Sequence, residues 1–341
     1  MDRELKSFLT ICGGLLATAG LVQAVRRNAR HISLRDKVVL ITGGSRGLGL
    51  VMARELSRLG ARVAICARNK RELSRVRDEF SECGKEIVTE ACDVGVRADV
   101  NRCASNVREK LGEIDVLINN AGQIVVGPFE NQDTEAFEDA MQTNFWGTHY
   151  AVLEVYPRMR ARRFGRIVNI ASIGGKIAFP HLLPYSASKF ALVGYSQGLR
   201  TETLKYNVLV TTVCPGLMRT GSPRNADFTG QNEKEYAWFK ISDSLPVGSI
   251  GAKAAARKII RALSYGDAEV HLGLSARIGS IAQGLAPGLT ADALGLVDKY
   301  LLPSPVRGKP ELQKGSESES EVTQSALTQL TRDAETANNQ T

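Results

Sequence analysis

The sequence predicts an α/β fold built on a doubly wound parallel sheet, and three observations carry that prediction. Short β-branched apolar runs alternate with segments of helical periodicity from Lys37 to about Leu274, the pattern of a parallel sheet covered by helices on both faces. A glycine-rich turn separates the first such run from the first helical segment. The chain of 341 residues is 43% hydrophobic and 23% charged, enough apolar material for one large core with attachments.

Four zones follow in order: residues 1–36 as a hydrophobic anchor with a basic flank, 37–274 as the main domain, 275–303 as an apolar helical extension, and 304–341 as a disordered tail. Phe8 to Val25 carries no charge and is followed by Arg26, Arg27, Arg30, Arg35 and Lys37. As a helix this stretch is about 27 Å long, near the minimum for a bilayer span. An interfacial helix is one rival reading. A cleaved signal peptide, suggested by Ala17-Thr18-Ala19, is another, opposed by Asp2 and Glu4 at its start. The basic excess after the stretch, against Arg3 and Lys6 before it, places the main domain in the cytosol on the membrane surface.

Within the main domain, Lys37 to Thr42, Arg62 to Cys66, Glu86 to Ala91, Ile114 to Asn119, Arg166 to Ala171, Val208 to Cys214 and Glu269 to Leu272 read as strands. Val51, Met52, Leu56 and Leu59 mark the first helix by their spacing. Leu217 to Ile250 reads as a lid, with Tyr236, Trp238 and Phe239 in a polar setting. In the extension, Ile278, Ile281, Ala282 and Leu285 form one helical face; beyond Pro287-Gly288, with Thr290 as cap, Leu294, Val297 and Leu301 form another. This pair is expected over the substrate cleft or a subunit face. The tail, rich in Ser, Glu and Gln, lacks the apolar content to order itself.

The net charge of +8 is spread along the chain, without the basic run interleaved with aromatics that nucleic-acid binding needs. Six cysteines form no CxxC pair, and four histidines show no ligand spacing, so free thiols and no metal are expected.

The chemistry is carried by a few spacings. Thr42-Gly43-Gly44-Ser45-Arg46-Gly47-Leu48-Gly49 lies between a buried strand and a helix. Glycines there allow a tight turn and close approach to a pyrophosphate at the positive end of the helix, which makes the predicted fold Rossmann-like. Tyr185 and Lys189 are four apart on a predicted helix and share a face. An ammonium near a phenol favours the phenolate, so the tyrosine pKa is expected to fall toward working pH, as general acid/base catalysis requires. Ser172, thirteen positions earlier, offers a hydroxyl to a substrate oxygen.

These motifs, taken together, resemble the short-chain dehydrogenases/reductases: Thr-Gly-x-x-x-Gly-x-Gly at Thr42, Asp93, Asn119-Asn120-Ala121-Gly122, Asn144, Ser172, Tyr185-Ser186-Ala187-Ser188-Lys189, then Pro215-Gly216 and Thr220. The resemblance covers about Lys37 to Leu274. It implies hydride transfer between nicotinamide and a carbonyl or carbinol carbon, with Tyr185 protonating the oxygen, Ser172 positioning it, Lys189 tuning Tyr185 and holding the ribose, and Asn144 supporting a proton relay. It also assigns cofactor contacts to Thr42, Gly43, Ser45, Arg46, Gly47, Leu48, Gly49, Asn119, Ala121, Gly122, Tyr185, Lys189, Pro215 and Gly216, with Asp93 on the adenine and Thr220 on the carboxamide. The second strand ends Cys66-Ala67-Arg68-Asn69, with no acid for the ribose hydroxyls. Arg68, assisted by Arg46, suits the 2′-phosphate of NADP(H). The expected substrate is a small-molecule ketone or secondary alcohol: steroid-like, a long-chain 3-keto lipid, or a broad range of carbonyls. A vestigial NADPH-binding scaffold or sensor is the alternative from another class. A homodimer or homotetramer is compatible with either.

Overall fold

The computed structural model describes residue 22 and residues 24–246, 248–308 and 310–341. Strand β1 (Val38–Thr42) is buried along its whole length, as expected of a strand covered on both faces. Helix α1 (Gly47–Arg58) returns to β2 (Arg62–Ala67), and α2 (Lys70–Glu82) to β3 (Val88–Ala91). Helix α3 (Arg97–Leu111) then crosses to the other side of β1, where β4 (Val116–Asn119) pairs. The register places Leu40 opposite both Ala64 of β2 and Leu117 of β4. Between these two neighbours the direction of winding reverses, and there a doubly wound sheet opens its ligand crevice.

A short strand, β5 (Val125–Val126), precedes α4 (Thr134–Met141), a π-helical turn (Gln142–Trp146) and α5 (Gly147–Arg162). Strand β6 (Gly165–Ile170), α6 (Leu183–Thr203) and β7 (Val208–Pro215) continue the sheet. The lid follows, as β8 (Leu217–Arg219), β9 (Asp227–Phe228), α7 (Asn232–Ser244) and β10 (Ser249–Gly251). Helix α8 (Ala252–Tyr265) and β11 (Glu269–Leu272) complete the seven-stranded parallel sheet, in the order β3-β2-β1-β4-β6-β7-β11. One apolar cluster joins β1 and β2 to α1 and α8; a second joins the opposite sheet face to α3 and α5. Val39, Ile41, Val116 and Ile118 are fully enclosed in the first, each contributing about 1.5–3 kcal/mol.

Helices α9 (Leu274–Leu285) and α10 (Pro287–Leu301) form the expected hairpin at the cleft. Thr290 is not its cap: α10 starts three residues earlier, and the Thr290 hydroxyl donates back to Ala286 O at 3.0 Å. Ala282, Leu294 and Val297 line the cleft, whereas Ile278, Ile281 and Leu285 face solvent.

The expectation of a disordered tail is overturned. Strand β12 (Gln313–Lys314) pairs antiparallel with β9, and α11 (Gln329–Ala337) packs on the lid helix. Composition pointed the wrong way because the tail is held by polar pairs rather than by apolar burial. Arg224 meets Glu319 at 2.6 Å, Ser244 Oγ donates to Thr331 at 2.6 Å, and Lys240 meets Glu335 at 2.9 Å in a buried ion pair.

The expected anchor at Phe8–Val25 lies almost wholly outside the described residues, among which no helix is long and apolar enough to cross a membrane. Its basic flank is not a free surface charge throughout. Arg27 grips Asp267 with two bonds, at 2.6 and 3.0 Å, and stacks over the Tyr265 ring. Leu34 joins the core, so the main domain begins before Lys37.

Candidate active site

Two loops meet at the switch point, and Thr42 ties them. Its Oγ1 accepts from the backbone N–H groups of Asn120 (3.0 Å) and Ala121 (3.1 Å). The Asn120 side chain returns the favour, donating to Thr42 O and Gly43 O at 3.1 and 2.9 Å. The approach is close enough to demand glycine: a Cβ on Gly43, where φ is +64°, would lie 2.8 Å from Ala121 Cα, and one on Gly49 would lie 2.2 Å from Gly43 O. No side chain caps α1 and no acid stands in its first turn, so the positive end of the helix faces the cleft with only a backbone partner, Asn338 O, at 2.8 Å from Gly47 N. This cradle fits a dinucleotide diphosphate.

The cleft of about 1540 Å³ runs from this turn past Arg68 and Asp93 at one end to Tyr185 and the α9–α10 hairpin at the other. That exceeds the few hundred to 1,000 Å³ common for one small ligand and leaves room for a dinucleotide and a second molecule. Gly43, Ser45, Arg46, Gly47, Leu48, Arg68, Asp93, Ala121, Gly122, Ser172, Tyr185, Lys189, Pro215, Gly216 and Thr220 all stand on its wall.

Four expected contacts do not line it. Thr42 and Gly49 lie behind the turn they shape. Asn119 donates to Asn169 at 2.9 Å and braces β4 against β6. Asn144, fully buried at the centre of the π-helical turn, clamps its neighbours: Oδ1 accepts from Gln123 N (3.0 Å), while Nδ2 donates to Gln123 O (3.0 Å) and Ser188 Oγ (2.9 Å). It is a positioning residue, which a reading by family motif alone could not distinguish from a catalytic one.

At the adenosine end the sequence concealed an acid. Glu72 lies one helical turn beyond Arg68, so α2 carries its carboxylate back to the glycine-rich turn. It accepts from Ser45 Oγ at 2.6 Å, Arg46 Nη1 at 3.0 Å and Asn69 Nδ2 at 3.1 Å. One nitrogen of the Arg46 guanidinium is therefore already paired, while its remaining donors stay available. Arg68 stands exposed at the rim.

At the other end, Ser172 follows β6 and accepts from Gly174 N at 2.9 Å, which fixes its hydroxyl beside the Tyr185 ring. Lys189 Nζ lies 5.6 Å from the centre of that ring and donates to Ile170 O at 3.0 Å. Burial opposes the expected fall in the tyrosine pKa. Burial pushes the Tyr185 phenol up to about 12 despite the Ser172 hydrogen bond, and burial brings Lys189 down to about 8. Desolvation disfavours both charged forms. The phenol therefore remains a proton donor at neutral pH.

Further residues were missed because their partners are distant in sequence. His181 bonds Glu235 at 2.9 Å and reaches Asp298 at 3.2 Å, and Trp238 Nε1 donates to Glu235 at 2.7 Å. The group fastens lid helix and hairpin over the substrate end. Of the lid aromatics, Trp238 and Phe239 face the cleft while Tyr236 is buried against Phe228. Asp243, also on the cleft wall, has its carboxyl pushed up to about 7 by burial. Cys66, Cys92 and Cys103, without ligand spacing in the sequence, bring buried sulfurs within 4.8 Å of one another. Residues 338–340 of the tail reach the rim of the cleft.

A seven-stranded doubly wound sheet with a glycine cradle at its switch point, and a Ser, Tyr and Lys group beside it, defines a dinucleotide-dependent oxidoreductase. The profile of the short chain dehydrogenase family matches residues 37–229, and the chain belongs to that family. A dehydrogenase/reductase SDR family protein 7-like from Anopheles gambiae is 34% identical over 264 residues, covering 76% of this chain and 81% of that protein. The 3-ketodihydrosphingosine reductase of Mus musculus is 34% identical over 215 residues, covering 59% and 64%. Among solved structures, an actinorhodin polyketide ketoreductase variant with NADPH superposes with a TM-score of 0.63 at 31% identity, covering 71% of this chain and 97% of that one.

Proposed function

We propose that the protein is an NADP(H)-dependent oxidoreductase that moves hydride between the nicotinamide and a lipophilic ketone or secondary alcohol, working at a membrane with its catalytic domain in the cytosol. The observation that carries this reading is the position of Ser172, Tyr185 and Lys189 where the dinucleotide cradle opens into an apolar chamber. Leu294, Val297 and Leu301 of the hairpin, with Trp238 and Phe239 of the lid, wall that chamber. Arg68 and the NADPH of the related ketoreductase structure support the phosphorylated cofactor. The keto-lipid reductase among the relatives supports a lipophilic substrate. Support for a membrane comes from the outer side of the hairpin, where Ile278, Ile281 and Leu285 are 58–81% exposed.

The bound nicotinamide would supply or accept the hydride at the carbon. The protein's own part is at the oxygen. Ser172 holds it by hydrogen bonding, and Tyr185, kept protonated by burial, donates its proton as negative charge develops. Lys189, anchored on Ile170 O, retains donors for the ribose.

The test is NADPH oxidation against a carbonyl panel that includes a long-chain 3-keto lipid and a small soluble ketone. Tyr185→Phe should lower turnover by roughly 10²–10⁴-fold while NADPH still binds. Near-normal turnover of the variant would overturn the mechanism. NADPH binding without turnover of any carbonyl would favour a scaffold or sensor.

A further inference from the structure

Once the polar tail is seen to be ordered, its last residues acquire a location that the activity does not explain. The upstream part is fixed to the lid: Thr331 bonds Ser244, and Glu335 pairs with Lys240, both groups of that pair being almost fully buried. From the end of α11 the chain turns inward and crosses the mouth of the cofactor cleft. On one rim, Gly47 N donates to Asn338 O at 2.8 Å and Asn339 Nδ2 donates to Ser45 O at 2.8 Å. On the other, Asn338 Nδ2 and Gln340 Nε2 donate to Thr220 O at 3.3 and 3.2 Å, and Asn225 Nδ2 donates to Gln340 Oε1 at 2.7 Å. Asn338 and Gln340 are only 6% and 7% exposed.

We propose that residues 338–340 are part of the cofactor site: a strap that joins the glycine-rich turn to the lid and holds the dinucleotide in the cleft until it lifts. The inference rests on a dinucleotide occupying the cleft, as proposed above. The bonds are made to Ser45 and Gly47 of the glycine-rich turn and to Thr220 and Asn225 of the lid side, while Gly43, Ala121 and Gly122 line the same cleft without a bond to the tail. Side-chain amides suit this work, since each presents donor and acceptor together and bridges backbone groups on opposite sides without adding charge beside a diphosphate. Gln340 packs directly on the turn: a Cβ added to Gly47 would lie 2.7 Å from its Nε2. Diffusion of a bound dinucleotide outward between Gly47 and Thr220 therefore requires these bonds to break first, so strap opening limits cofactor release.

The measurement is stopped-flow dissociation of NADPH from the full chain and from a variant lacking residues 338–341, all of which lie beyond α11. A double variant, Asn225→Ala with Gln340→Ala, keeps the chain length and breaks one rim attachment. Release should accelerate about tenfold or more in the deletion and severalfold in the double variant, with circular dichroism and melting temperature showing folded protein. Unchanged release in both variants would refute the strap while leaving the dinucleotide reading intact. Slower release or tighter binding on deletion would also refute it, by showing that the segment obstructs the cleft. A full chain that binds neither NADPH nor NADH would refute the dinucleotide reading itself, and the strap with it.

Discussion

Asn144→Ala gives the sharpest test of how the site is held. The side chain is fully buried and makes three hydrogen bonds, two to the backbone of Gln123 and one to Ser188. Each contributes about 1 kcal/mol net, and a donor left without a partner costs about 1–3 kcal/mol. Gln123 is only partly buried, so water relieves some of that penalty and the expected loss is about 3 kcal/mol. With an unfolding entropy of about 2.1 cal/mol/K per residue, a chain of this size should melt about 4 °C lower. Function should suffer as well. Gln123 follows Gly122, whose Cβ direction points within 3.6 Å of Lys189 Nζ, so loosening this backbone disturbs the lysine's surroundings. Turnover should fall roughly 10- to 100-fold, since small misplacements carry large rate costs. Asn144→Asp, which keeps the acceptor for Gln123 N and loses both donors, should fall between the variant and the wild type in melting temperature. Differential scanning calorimetry with single-substrate turnover reads both effects. A melting temperature within about 1 °C of wild type and unchanged turnover would refute the clamp.

Three further outcomes are expected. Arg68→Ala should weaken NADPH binding about tenfold, equivalent to about 1.4 kcal/mol, and leave NADH nearly unchanged in fluorescence titration; equal losses would make the arginine structural. Gly49→Ala forces a Cβ to within 2.2 Å of Gly43 O, so the turn must shift at a cost of about 1–3 kcal/mol, and dinucleotide affinity should fall at least tenfold; a change under twofold would contradict the close-approach argument. Asp243, faced by Arg219 and Glu335 and raised by burial to about 7, contributes stability that is complete below its unfolded pKa of about 3.9 and lost as pH rises through the folded value; the melting temperature of Asp243→Asn relative to wild type should therefore rise between pH 5 and pH 8, and a pH-independent difference would contradict the assigned pKa.

The sheet was legible because its information is local. A parallel strand covered on both faces must be apolar at successive positions, and Val38 to Thr42 or Val208 to Cys214 can be little else. The cradle was legible for a related reason: glycines at Gly43 and Gly49 answer a steric demand that no other residue meets. Ser172, Tyr185 and Lys189 were found by spacing, whereas the burial that opposes ionisation of Tyr185 is a property of the assembled cleft and leaves no local signal. Glu72 was overlooked for want of one helical turn. His181, Glu235 and Asp298 gave no signal because their meeting depends on the lid and the hairpin closing on each other. The tail failed most plainly, since a composition argument counts apolar residues and this segment is secured by amides, hydroxyls and ion pairs.

Strand β1 lies at the centre of the sheet, with β2 on one side and β4 on the other, and this has a consequence for biosynthesis. A nascent chain can pair β1 with β2, and β2 with β3, early, because those contacts are short in sequence. The opposite edge of β1 stays open until the segment carrying Val116 has been made and can lie beside Val39. Throughout that interval the growing chain presents an apolar strand edge with unpaired backbone groups, the feature most prone to intermolecular pairing. The half of the enzyme that carries the glycine cradle is therefore the half with most need of protection on the ribosome, and it becomes safe only when the Asn120 loop arrives to lock onto Thr42.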